Sequence, residues 1–311
     1  MFSHLAPPLL WALGGLYLLL GAASLIVFVV QQEQPEKHKE LVARVNSWWV
    51  MILIFSLVIV ISNHLAIILF ALISFLALKE YLAMITTRRA DRRVVFWAFL
   101  AIPVQFYWVA IGWYGMFIIF IPVYLFLLIP ARMVLIGETQ GFLKAAGTLH
   151  WGLMITVFSI SHAAYLLALP ENPAAPAGGA GLLFYLVFLS QFNDVAQYTW
   201  GKLFGKHPVV PKVSPKKTVE GLLGGVLTTT LIGWLIAPYL TPLSGWWALL
   251  AGLIIGLSGF FGDVVISAVK RDIGVKDSGT LIPGHGGIMD RIDSLTFTAP
   301  LFFHFLYYLY Y

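Results

Sequence analysis

Runs of apolar residues long enough to cross a lipid bilayer follow one another along almost the whole chain. A spanning helix needs about 20 predominantly apolar residues, because the hydrocarbon core is about 30 Å thick and a helix rises about 1.5 Å per residue. Ten such runs are read at 9–30, 47–62, 64–85, 94–111, 113–131, 149–169, 182–203, 219–240, 245–268 and 294–311. Lipid leaves backbone N–H and C=O groups no partner but each other, so continuous apolar runs of this length must be helical. The expected fold is therefore all-α: a polytopic integral membrane protein of about nine or ten transmembrane helices. Composition agrees, since 60% of the 311 residues are apolar and 11% are charged, whereas soluble domains are about half apolar and about a quarter charged. The first run is too long for a signal-peptide core and no convincing cleavage site follows it, so it is kept as a helix. Ser62-Asn63-His64 separates the second and third runs, which are short. Gly112 separates the fourth and fifth, a pair that could be re-entrant or tilted. There is no cysteine, which excludes a disulfide, a thiol nucleophile and a zinc–thiolate site.

The net charge is +5, and its placement says more than its size. With the N-terminus outside, the inside segments are 31–46, 86–93, 132–148, 204–218 and 269–293. All 19 Lys and Arg residues fall in these segments or at helix ends facing them. Basic residues concentrate on the cytoplasmic side of membrane proteins. An N-out, C-out orientation is expected, with the working face cytoplasmic in a bacterial-type inner or plasma membrane. Residues 33–40 alternate in sign and read as a solvated linker face. Arg88-Arg89-Ala90-Asp91-Arg92-Arg93 reads as a topology anchor. Glu80, at the inner edge of the third span, finds a partner either near Lys79 or at a later Arg. Residues 1–136 read as scaffold helices, and 137–311 as the catalytic half with inside loops 204–218 and 269–293. No nucleic-acid partner is expected.

Two ionisable residues lie inside spans, where they are costly and mark function. Asp194 comes eight residues before Lys202, and Asp263 seven before Lys270. At about 1.5 Å per residue both sit on the order of 10–12 Å below the inner end. Carboxylates at one depth on two helices repel each other unless a cation or basic group lies between them. Ser190, Asp194, Gln197, Tyr198 and Gly201 share one helical face. Gly252, Gly256, Gly259, Asp263 and Ser267 share another, on which the glycines serve close packing.

The last inside segment carries most of the chemistry. Lys270, Arg271, Lys276 and Arg291 supply positive charge. Pro283-Gly284-His285-Gly286-Gly287 can turn successive N–H groups toward an anion. Asp290 and Asp293 share one face at the start of a helix. Basic groups, an N–H cradle and hard oxygen ligands together suit a polyphosphate with Mg²⁺. Ser214-Pro215-Lys216-Lys217-Thr218, leading into the eighth span, offers hydroxyls and amines to a phosphate at that helix N-terminus.

At these residues the sequence resembles the phosphatidate cytidylyltransferases, or CDP-diacylglycerol synthases. Ser267, Lys270-Arg271, Lys276-Asp277, Pro283-Gly284-His285-Gly286-Gly287 and Asp290-Arg291-x-Asp293 match the family signature at its spacing. Ser214-Pro-Lys-Lys-Thr218-x-Glu220-Gly221 and Asn193-Asp194 with Tyr198 and Gly201 resemble further family motifs. Val195-Ala196-Gln197 departs from the small residues, often with a Thr, of many bacterial members. The similarity covers about 190–293, and the first half matches only in being hydrophobic. The resemblance implies an all-helical enzyme, a homodimer, that joins CTP to phosphatidate. It implies Mg²⁺, with a monovalent cation such as K⁺ alongside, at Asp263, Asp290 and Asp293. Asp194 is added to that set for its depth. Asp263, Asp290, Lys270 and Arg271 are the expected catalytic residues. Ser267, Lys276, His285, Gly286, Gly287, Arg291, Ser214, Lys216, Lys217 and Tyr198 are the expected substrate contacts. A CTP-dependent lipid or polyprenol kinase, or a cytidylyltransferase acting on another phospholipid-type acceptor, is the alternative.

Overall fold

The computed structural model describes residues 6–33, 38–85, 88 and 91–311. Residues 34–37 of the alternating-charge segment, and Arg89 and Ala90 of the basic anchor, lie outside the described residues. The first four spans are α1 (Pro7–Glu33), α2 (Lys39–Ile61), α3 (Asn63–Met84) and α4 (Arg92–Ala110). The fifth is α5 (Tyr114–Ile119) and α6 (Phe126–Val134), joined through a π-helical turn. The sixth is α7 (Phe142–Leu153) and α8 (Ser159–Tyr165), joined in the same way. Then come α9 (Gly178–Phe204), a hairpin of β1 (Pro208–Val210) and β2 (Ser214–Thr218), α10 (Val219–Leu240) and α11 (Gly245–Asp272). A one-turn helix, α12 (Met289–Ile292), leads into α13 (Leu295–Tyr310).

Among the described residues, nine segments are long and apolar enough to cross a membrane. The tenth run corresponds to α13, which has 16 residues and is shorter than those nine. The second span is longer than its apolar run, because α2 begins at Lys39 and takes in part of the polar segment before it. The fourth and fifth spans are each long and apolar enough for a full crossing. Local chemistry sets the breaks. Ser62 is extended, and its Oγ accepts the His64 N–H at 3.1 Å, which caps α3. Gly112 turns at φ 67°, a conformation that favours a residue without Cβ.

Helix α8 is buried throughout and packs with α9 and α13 at the centre of the molecule. At the periphery Trp11, Leu18, Leu25 and Phe28 of α1 stand exposed, as side chains facing lipid should. Arg88 does more than anchor topology. Its guanidinium forks onto Asp91 (2.6 and 2.9 Å) and donates to the Glu138 and Gln140 carbonyls (3.2 and 2.7 Å). It thereby ties the start of α4 to the α6–α7 connection.

Successive short connections make α9 and α11 parallel, with α10 antiparallel to both. Glycines bring the three together. A Cβ at Gly225 would lie 2.2 Å from Gln197 Cγ, and one at Gly252 would lie 2.7 Å from Thr230 Cα. The buried Asn193 crosses all three helices, donating to the Gly256 carbonyl (3.1 Å) and accepting from Thr229 Oγ1 (3.1 Å). Gly252→Ala should therefore cost about 1–3 kcal/mol, the range for overpacking a tight core, because backbone rather than a flexible side chain blocks the new methyl. Gly21, with nothing within 4 Å of its Cβ position, should tolerate alanine without loss. Thermal unfolding of the two variants in detergent measures the contrast.

Candidate active site

The parallel run of α9 and α11 brings Asp194 and Asp263 to one end of the bundle. Asp293 joins them from the α12–α13 junction, because Gly262 leaves room for that backbone: a Cβ there would sit 2.5 Å from the Asp293 carbonyl oxygen. Ser294 bridges two of the acids. Its hydroxyl donates to Asp194, 2.9 and 3.0 Å from the two carboxylate oxygens, and its N–H donates to Asp293 Oδ1 at 2.8 Å. Asp263 receives the Ser267 hydroxyl at 3.1 Å and the Lys217 ammonium at 2.6 Å. The charge on Asp263 acts on both other acids, and Arg291 opposes the charge of Asp194 and Asp293. Among the described residues no three acidic or imidazole groups already stand at ligating distance of one point.

Lys217 reaches this group because it lies on β2. Its side chain is directed inward and also covers the Phe260 ring at 4.8 Å, while Lys216 beside it is exposed. Ser214 is half-buried. Thr218 accepts the Gly221 N–H at 3.1 Å and caps α10, so its hydroxyl serves the protein's own helix. Inside loop 204–218 is thus partly a hairpin, closed by Glu220, which accepts the N–H groups of Lys206 and His207.

Asp290 is used differently from the other three acids. Its Oδ1 takes the Lys270 ammonium at 2.7 Å. Its Oδ2 takes the N–H groups of Ser278 (2.9 Å) and Gly287 (3.0 Å) and the Ser278 hydroxyl (3.0 Å). Burial would raise this carboxyl's pKa, but Lys270 and the two N–H groups outweigh burial and hold it below the ordinary value. The glycine-rich turn is shaped around such groups. Gly286 adopts φ 81°, and a Cβ on it would lie 2.4 Å from Asp290 Oδ2. A Cβ on Gly287 would lie 2.4 Å from Glu80 Oε2. Of the N–H groups expected to face a ligand, that of Gly287 is therefore taken by Asp290, because a buried carboxylate needs donors on every side, and that of His285 by the Ile282 carbonyl.

Several expected substrate contacts are placed otherwise. Lys270 is committed to Asp290, and Ser267 to Asp263. Arg271 donates to the carbonyls of Val213 (3.3 Å) and Val275 (3.1 Å), joining the hairpin to the last loop. Lys276 is exposed. Tyr198 is 67% exposed, on the outer edge of α9, because the contact with α10 centres on Gln197 and Gly201. Gln197 fills a notch in α10. His285 stacks on Trp48, with ring centroids 6.2 Å apart. Burial, with Arg291 and Arg44 nearby, pulls its pKa down to about 4, so its imidazole is neutral at physiological pH and is no cationic phosphate contact. Arg291 keeps its Nε buried and without a partner. Glu80, expected to pair near Lys79 or with a later Arg, instead meets this loop from α3 and accepts from Ser278, Ile288 and Met289. Sequence reasoning missed Ser47, whose hydroxyl donates to the Pro283 carbonyl at 2.8 Å, and Arg44, whose Nε donates to Gly284 at 3.0 Å. These contacts join residues more than 190 positions apart, and no spacing reveals them.

The family model described as the cytidylyltransferase family matches residues 42–309. The chain belongs to the cytidylyltransferase family. This cytidylyltransferase is 48% identical over 298 residues to the uncharacterized protein YnbB of Escherichia coli K12, covering 96% of this chain and 98% of that protein. It is 45% identical over 120 residues to the phosphatidate cytidylyltransferase of Mycobacterium leprae, covering 39% of this chain and 38% of that protein. It is 39% identical over 129 residues to the phosphatidate cytidylyltransferase of Staphylococcus haemolyticus, covering 41% and 50%. The last two matches thus span half or less of either partner. The family match and the spanning helices make the chain a nucleotidyltransferase of the membrane.

The Lys270–Asp290 pair gives this cytidylyltransferase a measurable signature. Lys270→Met leaves a buried carboxylate without its counter-charge and should cost about 3–5 kcal/mol of stability near neutral pH. An Asp whose folded pKa is depressed adds stability above its unfolded pKa, about 3.9, and loses it as pH falls through the folded value. The gap between wild type and Lys270→Met should therefore narrow as the pH is lowered through about 4, read from unfolding midpoints in detergent. Lys276→Met should show no gap.

Proposed function

We propose that the chain transfers the cytidylyl group of CTP to phosphatidate, giving CDP-diacylglycerol and pyrophosphate, on the cytoplasmic face of the membrane. The observation that carries this reading is the convergence of Asp194, Asp263 and Asp293 at the end of the bundle where Lys217 reaches in. A site at that level suits a substrate whose phosphate lies among the headgroups while its acyl chains stay in lipid. The relatives named phosphatidate cytidylyltransferase support the choice of acceptor.

The donor set fits Mg²⁺. All three acids offer hard oxygens, and among the described residues the Lys217 ammonium is in direct contact with them. Asp194, Asp263 and Asp293 would hold the ion, which when bound would offset charge on the polyphosphate. In the reaction an unesterified oxygen of the lipid phosphate attacks the α-phosphorus of CTP. A new P–O bond forms as the bond from that phosphorus to the bridging oxygen of the β-phosphate breaks, and pyrophosphate leaves with the electron pair. A phosphate monoester has its second pKa near about 6 and is largely dianionic at neutral pH, so no strong base is required. The barrier is the approach of two anions, and the work is positioning and electrostatics. Lys217 and Arg291 supply the positive charge nearest the acids, and exposed Lys216 adds to the field at the entrance.

Purified protein given α-phosphate-labelled CTP, phosphatidate micelles and Mg²⁺ should move label into the organic phase. Asp263→Asn should slow this by roughly 100-fold or more, as for loss of a group that stabilises transition-state charge. Accumulation of CDP, with the γ-phosphate in lipid, would replace this reading with a lipid kinase. Label entering a different phospholipid, and not phosphatidate, would replace the acceptor.

A further inference from the structure

Glu80 belongs to α3, in the half of the chain whose sequence matches the resemblance only in being hydrophobic, yet its carboxylate is surrounded by the last loop. Oε1 accepts the Ile288 N–H at 2.9 Å. Oε2 accepts the Met289 N–H at 2.9 Å and the Ser278 hydroxyl at 3.1 Å. The loop is moulded on this group. A Cβ at Gly287 would lie 2.4 Å from Glu80 Oε2, and one at Gly279 would lie 3.1 Å from Oε1. Ser278 stands between two acids, since its hydroxyl also lies 3.0 Å from Asp290 Oδ2. One proton serves both, so the two carboxylates hold the loop as a unit.

Helix α12 is a single turn of four residues, too short to be stable by itself. No local side chain caps it. Its direction is set by tethers: Glu80 on the N–H groups at its start, and Gln191, whose amide donates to the Arg291 carbonyl at 3.2 Å. One turn beyond Met289 lie Asp293 and Ser294, which touch or bridge the acids of the site. We infer that Glu80 is a positioning residue: from α3 it latches the loop and so sets where α12 delivers Arg291, Asp293 and Ser294.

The catalytic part of this inference rests on the nucleotidyl-transfer reading above, whereas the latch can be tested without it. Amide hydrogen exchange over 278–292 would be compared for wild type, Glu80→Ala, Glu80→Gln and Lys79→Ala, alongside kinetics scaled to folded, monodisperse protein. Exchange at Ile288 and Met289 should rise at least about tenfold in Glu80→Ala, less in Glu80→Gln, which keeps one accepting oxygen, and not at all in Lys79→Ala, whose side chain is exposed. A displacement of order 1 Å in a reacting group can cost about 100-fold in rate. For Glu80→Ala, kcat should accordingly fall at least about tenfold with KM for CTP changed less than about threefold, and Glu80→Gln should recover part of it. Unchanged exchange in Glu80→Ala would overturn the latch. A loosened loop with unchanged kcat would overturn its catalytic part and leave Glu80 a purely structural residue. If Glu80→Ala does not fold, Glu80→Gln decides both questions by the same criteria. If the wild type transfers no label, the functional reading fails while the exchange comparison still decides the latch.

Discussion

A carboxylate stays charged in a buried position only when neighbours replace the water it has lost. Asp290 meets that condition with a lysine from α11, two N–H groups and a hydroxyl from the loop itself. The absence of side chains at 286 and 287 and the burial of Lys270 are consequences of solvating two anions, Asp290 and Glu80, with protein. Asp293, one turn further on, inherits its position from that loop.

The second determinant is how closely α9, α10 and α11 approach one another. Lipid offers no hydrophobic drive for helix association, so contact depends on small residues and on polar groups that bond across the interface. Gly225 and Gly252 remove the obstacles, and Asn193 supplies bonds to both neighbours. The result places Asp194 where it feels the charge of Asp263. Packing and electrostatics are linked here, since wider helix spacing would relax the repulsion that makes the group a receptor for positive charge.

What could be read from the sequence was what is periodic or local. Span positions follow from length and hydropathy, and Ser62 and Gly112 follow from turn chemistry, so most helix limits were legible. The depth match of Asp194 and Asp263 was legible because a helix converts residue count into distance. Pairings across the fold were not. Glu80 to Met289, Lys217 to Asp263 and Arg44 to Gly284 join positions with no periodic relation. The use of the Gly287 N–H was misread for a related reason: N–H groups that can bind an anion look alike whether the anion is a ligand or a side chain. Tyr198 shared a face with Asp194 by spacing, yet a helix face is wider than the contact it makes, and the edge residue turned outward.

The hairpin before α10 has a consequence of its own. In a strand, neighbouring side chains point to opposite sides, so register selects which of two adjacent lysines enters the acidic group. Here Val210 pairs with Ser214 and Pro208 with Thr218, and Lys217 is the residue directed to Asp263. Removing one residue from the turn at 211–213 would offset the strands by one position and offer the acids a different side chain. The length of a three-residue turn thus acts as a selector for the charge content of a site built on other elements, and drift in that length is a route by which related chains could change their chemistry without altering a single acid.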